Sequence, residues 1–195
     1  MFLAKSRLDC TEMRNIDRPP VSRSSGALWV AAGVLVPEDL DGRLHAGGLA
    51  LEVGCGAGLG CLALAEAYPA TRVVGHDRDP QAIARARSLA AAAGLESRVG
   101  FLLEDSEKLP RNTYDLVTVS RVADLRQALD VLNAIRNALL PTGVCVLLES
   151  PASLLLGTTG RTSTAQRLQA LAERAGFARI TLVSHGSADI YELRR

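Results

Sequence analysis

From Leu49 onward the chain alternates short apolar runs with stretches whose apolar residues recur at helical spacing. The runs predict strands near 49–53, 72–76, 98–103, 114–119, 143–149, 178–184 and 188–194. The helical spacing predicts helices near 58–67, 80–93, 124–139 and 163–175. Strand, helix, strand at these intervals predicts a doubly wound α/β fold with a mostly parallel sheet and right-handed crossovers. The last pair departs from the rule. His185-Gly186-Ser187-Ala188 is too short for a parallel crossover, so the final two strands form a hairpin and place one antiparallel strand at the end of the sheet.

Upstream the pattern is weaker. Residues 1–21 mix Arg14, Asp17 and Arg18 with the Pro19-Pro20 pair and read as a flexible arm. Ser22, Ser24 and Ser25 offer caps for a short helix over 27–32, and Pro37-Glu38-Asp39 starts a second one carrying Leu40 and Leu44. Residues 22–195 then form one domain, with N-terminal helices at 22–45 and a core at 46–195. Trp29 either packs on that body or lines a pocket. No internal repeat and no second domain is visible.

Composition narrows the function classes. Of the 195 residues 48% are hydrophobic, enough for a sizeable core, while aromatics at 4% leave little for base stacking. A net charge of +1, with the basic residues scattered, demands neither nucleic acid nor an anionic membrane. Cys10, Cys55, Cys61 and Cys145 form no CxxC pair, so neither metal nor disulfide is expected and a reducing, cytoplasmic setting fits. The first residues lack a signal-peptide h-region, and the longest apolar run, 27–36, is too short to span a bilayer.

The chemistry concentrates at Leu51-Glu52-Val53-Gly54-Cys55-Gly56-Ala57-Gly58, where a buried strand meets a turn with glycine at every second position and a helix follows. Glycine lets backbone approach a ligand, and the first helical N–H groups face it. In open α/β sheets ligands bind at the carboxyl ends of the strands. Asp77 ends the second strand and suits the two hydroxyls of a ribose. Asp79, directly before Pro80, is the better helix cap. His76 points to the other strand face and reads as packing. Asp105 ends the third strand, where its carboxylate could accept from an adenine amino group beside the backbone of Ser106. A dinucleotide fingerprint fails, because the third-glycine position is Leu59 or Cys61, and a Walker-type Gly-Lys-Ser/Thr is absent.

Together these segments resemble the class I S-adenosylmethionine-dependent methyltransferases. The glycine stretch resembles the family's motif I, and Gly75-His76-Asp77-Arg78-Asp79-Pro80 its ribose-binding strand. Glu104-Asp105-Ser106 is similar to its adenine segment and Tyr114-Asp115-Leu116-Val117-Thr118-Val119 to its fourth strand. Leu139-Leu140-Pro141-Thr142-Gly143 resembles the start of its fifth strand, and Ala175-Gly176-Phe177 precedes the terminal hairpin. The resemblance covers roughly 45–195. It implies a Rossmann-like sheet ordered 3-2-1-4-5-7-6 with helices on both faces. It also implies S-adenosylmethionine as cofactor, with Gly54, Gly56 and Gly58 under its methionine part and Glu52 near its amino group. Asp77 would hold the ribose, Asp105 and Ser106 would flank adenine, and Cys55, Arg78 and Ser120 would complete the cofactor contacts.

Methyl transfer from a sulfonium needs alignment and exclusion of water, and a base only where the nucleophile must lose a proton. The acceptor side offers Arg121, Asp124, Glu149 and His185, with His185 open to a base role and Arg121 able to pair with an acidic acceptor or with Asp124 or Glu149. The segment 150–164 reads either as a mobile lid or as a plain connection. Ser120-Arg121-Val122-Ala123 replaces the Asn/Asp-Pro-Pro-Tyr/Phe motif of enzymes that methylate the amino groups of adenine or glutamine. Gly26-Ala27-Leu28-Trp29 faintly resembles the first helix of the seven-strand protein-lysine methyltransferases, whose acidic motif with tyrosine after strand four is missing here. The expected activity is methylation of a small molecule. The alternatives are a protein or RNA acceptor, or a non-catalytic module that binds the cofactor or a partner chain.

Overall fold

The computed structural model describes residues 37–104, 108–122, 126–149, 164–184 and 189–195. The arm, the 27–32 helix with Trp29, Cys10, Asp105, Ser106, Asp124, His185 and residues 150–163 lie outside them. Strands β1 (Leu49–Val53), β2 (Arg72–Asp77), β3 (Val99–Leu103), β4 (Tyr114–Ser120), β5 (Leu139–Glu149), β6 (Arg179–Ser184) and β7 (Asp189–Arg194) form one sheet. Its order is β3-β2-β1-β4-β5-β7-β6. β1 pairs in parallel with β2 and β4, β2 with β3, and β4 with β5, whereas β7 runs antiparallel to both β5 and β6. The antiparallel strand is therefore not outermost. β7 inserts between β5 and β6, as the family order implies and the hairpin alone did not.

Side-chain alternation along the strands sorts the core into two layers. On one face Ala50, Val73, Phe101 and Leu116 meet helices α1 (Glu38–His45), α2 (Leu59–Ala67) and α3 (Pro80–Ala93) through Leu40, Leu44, Leu62, Ile83 and Ala86. On the other, Leu51, Val117, Cys145 and Leu147 meet α4 (Ala128–Ala138) and α5 (Thr164–Arg174) through Leu132, Ile135, Leu168 and Ala172. Covered on both sides, β5 is apolar from Val144 to Leu148, which is why that stretch reads as a continuous apolar run.

The helix ends follow the expected chemistry. Asp79 caps α3 by accepting from the Gln81 N–H at 2.8 Å, Pro80 fills the first helical position, and Gly94 closes the helix at φ 69°. β5 begins earlier than the apolar run predicts. Leu139 follows α4 directly and pairs with Tyr114, and a register shift then separates that pair from Leu116↔Val144. Pro141 and Gly143 lie in this irregular stretch. A Cβ on Gly143 would stand 2.8 Å from the Tyr114 carbonyl oxygen.

Helix α1 fastens the amino end of the sheet, opposite the glycine turn. The Arg43 guanidinium donates to Asp115 Oδ1 at 3.0 Å, to Thr142 Oγ1 at 3.0 Å and to the Thr142 carbonyl at 2.8 Å. Asp115 Oδ2 accepts from the Leu49 N–H at 3.0 Å, and Arg194 grips both oxygens of Asp39 at 2.8 and 2.9 Å. Arg43 and Asp115 are only partly exposed, so this pair is worth more than a free surface ion pair. Arg43→Ala is expected to lower stability by about 1–2 kcal/mol in urea unfolding with an unchanged slope. Ligand affinity at the far end of the sheet should not move.

Candidate functional site

The site is built where β1 stops. The β1–β2 ladder continues one step past β1, because the His76 carbonyl accepts from both Gly54 N–H at 2.8 Å and Cys55 N–H at 3.0 Å. The chain then reverses through Gly54, Gly56 and Gly58, whose φ angles are 73°, 55° and 76°. All three lie in the left-handed region that side chains resist, so the glycines are required by backbone geometry.

Their surroundings divide them. A Cβ built on Gly54 or Gly56 meets nothing within 4 Å. On Gly58 it would stand 2.6 Å from two Phe101 ring atoms and 3.0 Å from Ala86 Cβ. Two glycines thus open outward, and the third is closed by packing. Two more glycines that sequence reasoning left unassigned are closed as well. A Cβ on Gly75 would come within 2.5 Å of the Phe101 ring and 2.9 Å of Cys55 Sγ, and on Gly60 within 2.5 Å of the Glu52 carboxylate. Close approach of helix to strand, which a dinucleotide fingerprint assigns to its third glycine, is met here at Gly58 and Gly60. The signal was present in Gly58-Leu59-Gly60. Its register hid it.

Asp77, at the end of β2, ties the turn in place. Its Oδ2 accepts from Gly56 N–H at 2.8 Å and its Oδ1 from Asp79 N–H at 2.9 Å. A carboxylate has about four acceptor positions, so each oxygen keeps capacity for a hydroxyl. Capping of local backbone and holding of a diol are therefore compatible at this residue.

Glu52 points from β1 beneath α2 and is 4% exposed. The Cys61 thiol donates to its Oε2 at 3.1 Å, and the Cys61 backbone N–H is a second partner. Burial, opposed by these bonds and helped by the Asp77 charge, pushes its carboxyl up to about 7. Burial likewise pushes the Cys61 thiol well up. Glu52 thus lies behind the turn and is almost closed to solvent.

Cys55 is buried between the turn and Gly75, and Arg78 is exposed just past β2. Half-buried Ser120 ends β4, next to β1 in the sheet. Arg121 follows at φ 56°, and its N–H reaches the Leu148 carbonyl at 2.8 Å. A left-handed arginine costs about 1–2 kcal/mol relative to relaxed backbone, strain of a kind that gathers at functional sites. Glu149 is buried at the end of β5, one strand beyond β4. The structure therefore gathers Glu52, the glycines, Cys55 and Asp77 around one turn, with Ser120 and Arg121 beside it and Glu149 further along. The free thiols Cys55, Cys61 and Cys145 are all buried. Among the described residues no group of three or more His, Cys, Asp or Glu is placed to hold a metal ion.

A cofactor with a diol and a chain that must pass over bare backbone fits this cradle, because the Gly54 and Gly56 faces are open and Asp77 stands between them and β2. A family model described as a methyltransferase domain matches residues 44–180. No curated protein matches the sequence. Among solved structures, a putative S-adenosyl-L-methionine-dependent methyltransferase from Methanococcus maripaludis superposes with a TM-score of 0.70 at 14% identity, covering 89% of this chain and 87% of its own. PigF with SAH gives 0.69 at 22% identity, over 89% of this chain and 56% of PigF. The mitomycin 7-O-methyltransferase MmcR gives 0.62 at 21% identity over 89% of this chain. The chain spans only 58% of the length of MmcR. S-adenosylmethionine is the cofactor this family uses, and the chain belongs to the class I, Rossmann-like S-adenosylmethionine-dependent methyltransferases.

Proposed function

We propose that this chain transfers the methyl group of S-adenosylmethionine to a small-molecule acceptor. The observation that carries the reading is the pair of open, left-handed glycines, Gly54 and Gly56, fixed to Asp77 by the Gly56 N–H. When bound, the cofactor supplies a methyl group already activated on a positive sulfur. The protein has to hold, align and shield it. Gly54 and Gly56 give the methionine part bare backbone to lie on, and Asp77 holds the ribose hydroxyls with its remaining lone pairs. Asp105 and Ser106 follow β3 in sequence and take the adenine. Cys55, Arg78 and Ser120 complete the contacts around the turn.

Arg121, just past β4, and Glu149, at the end of the neighbouring β5, lie on the acceptor side, where an arginine orients an anionic group and a carboxylate receives a proton. His185 is the other candidate base. MmcR, whose name specifies O-methylation of mitomycin, supports a small acceptor on this scaffold. The three buried free thiols favour a reducing compartment, which we take to be the cytoplasm. No helix among the described residues is long and apolar enough to cross a membrane.

Titration calorimetry with S-adenosylmethionine and S-adenosylhomocysteine tests the donor half, and binding of both is expected. Transfer of tritiated methyl into a lysate fractionated by size tests the acceptor half, with label expected in the small-molecule fraction. Label on protein or RNA would replace the small acceptor by a macromolecular one. Binding without transfer would leave a cofactor-binding module.

A further inference from the structure

We propose that Glu52, held by Cys61 at the amino terminus of α2, is the residue through which the site distinguishes the sulfonium donor from its thioether product. The inference rests on the donor reading above and concerns charge, not contact. At 4% exposure Glu52 is enclosed by β1, the turn and α2, so it acts on a ligand through space.

Its placement is specific. The first turn of α2 holds no acid of its own, and its N-cap, Gly58, has no side chain to offer. The Glu52 carboxylate supplies that role from the strand, accepting from the Cys61 N–H and S–H. Gly60 makes room, since any Cβ there would overlap the carboxylate. The groups facing it are few. α2 brings Cys61, which also neighbours Cys55 of the turn, and the end of β2 brings Asp77, whose charge opposes ionisation. The strand positions beside it are Gly75 and Thr118, neither charged. Among the described residues no basic side chain pairs with Glu52.

An enclosed acid without a cationic partner takes its charge state from what enters the site. S-adenosylmethionine brings an ammonium and a sulfonium, and S-adenosylhomocysteine brings only the ammonium. The extra positive charge of the donor is attracted by ionised Glu52 and not by its neutral form. As pH rises the carboxyl loses its proton, so preference for donor over product grows with pH. The sulfonium also eases deprotonation of the donor's own ammonium, so the contribution of Glu52 is read as the difference between the wild type and Glu52→Gln, in which the ligands titrate alike. The carboxyl pushed up to about 7 places the change across neutrality.

The test is calorimetry on the full chain with both ligands from about pH 6 to about pH 8. The ratio of the two dissociation constants is expected to move about tenfold in favour of the donor over that range relative to Glu52→Gln, the size of one charge–charge interaction across about 12 Å at an effective dielectric near 20. Repeating the titration in buffers of different ionisation enthalpy should show more protons released by donor than by product near neutrality. Glu52→Gln should remove the part of the ratio that rises in favour of the donor with pH, leaving only what the ligands' own amines contribute. Cys61→Ala should move the midpoint of that rise to higher pH by removing a donor to the carboxylate, and Cys61→Ser should restore it. Coincident pH profiles of the ratio in the wild type and Glu52→Gln overturn the inference while leaving the donor reading intact. If Glu52→Gln fails to fold, the Cys61→Ala and Cys61→Ser pair decides, and coincident midpoints overturn it. Absence of binding by either ligand at every pH removes the donor reading, and this inference with it.

Discussion

Replacing Gly58 by alanine should damage both the fold and the donor site, whereas the same change at Gly56 should damage only the site. At Gly58 the new methyl would stand 2.6 Å from the Phe101 ring while the backbone keeps φ 76°. Left-handed strain of about 1–2 kcal/mol adds to overpacking of about 1–3 kcal/mol. That is a sizeable part of a domain's stability, and for a chain of this size it lowers the melting temperature by roughly 4–20 °C. At Gly56 the backbone strain remains but the methyl enters open space, so the melting temperature should fall by about 2–8 °C only. Donor affinity should drop at least about tenfold in both variants, since the turn is displaced in one and its open face filled in the other. Thermal unfolding and calorimetry on the pair separate the two effects. A Gly56→Ala variant that bound as tightly as the wild type would mean that the ligand does not lie on the open face of the turn.

Asp77→Ala is the second large effect. It strips the partner from Gly56 N–H and from Asp79 N–H, bonds of 2.8 and 2.9 Å, as well as the acceptor proposed for the ribose. Lost hydrogen bonds to a charged group at a site that must then hold a diol should weaken donor binding by ~1–3 kcal/mol, roughly 5- to 150-fold. Asp77→Asn keeps one acceptor oxygen but turns an amide NH2 toward the other backbone N–H, and is expected to fall between alanine and the wild type. Calorimetry with S-adenosylhomocysteine reads the series without turnover. Equal affinities across it would remove Asp77 from the ribose.

The parts of this protein visible in its sequence are those set by local rules. Period and run length located all seven strands to within a few residues, because central strands covered on both faces are mostly apolar while the edge strands β3 and β6 keep short apolar runs. Asp79-Pro80 announced a helix start through capping and the fixed φ of proline. The early start of β5 was hidden, because Leu140-Pro141-Thr142-Gly143 has the composition of a turn while its backbone stays extended around an irregularity opposite Tyr114. The insertion of β7 between β5 and β6 is a matter of sheet assembly that no hairpin spacing encodes. At the site, the outward-facing glycines were legible as a motif. The division of labour among Gly56, Gly58, Gly60 and Gly75 was not, because it depends on where a phenylalanine on β3 and a glutamate on β1 come to rest. Likewise Arg43 gave no sign of its bonds to Asp115 and Thr142, which lie 72 and 99 residues away.

The fastening of α1 to the amino end of the sheet also bears on how such a protein can diversify. Arg43, Asp39 and Arg194 secure one rim with charged side chains, and the glycine turn tied to Asp77 forms the proposed donor cradle at the other. None of these fastening residues lies in the connections that follow β4 and β5. New acceptor preferences can therefore be tried out in those connections by insertion, deletion or recombination while the foundation and the donor cradle stay as inherited. A lineage built on this plan can change what it methylates without relearning how to fold.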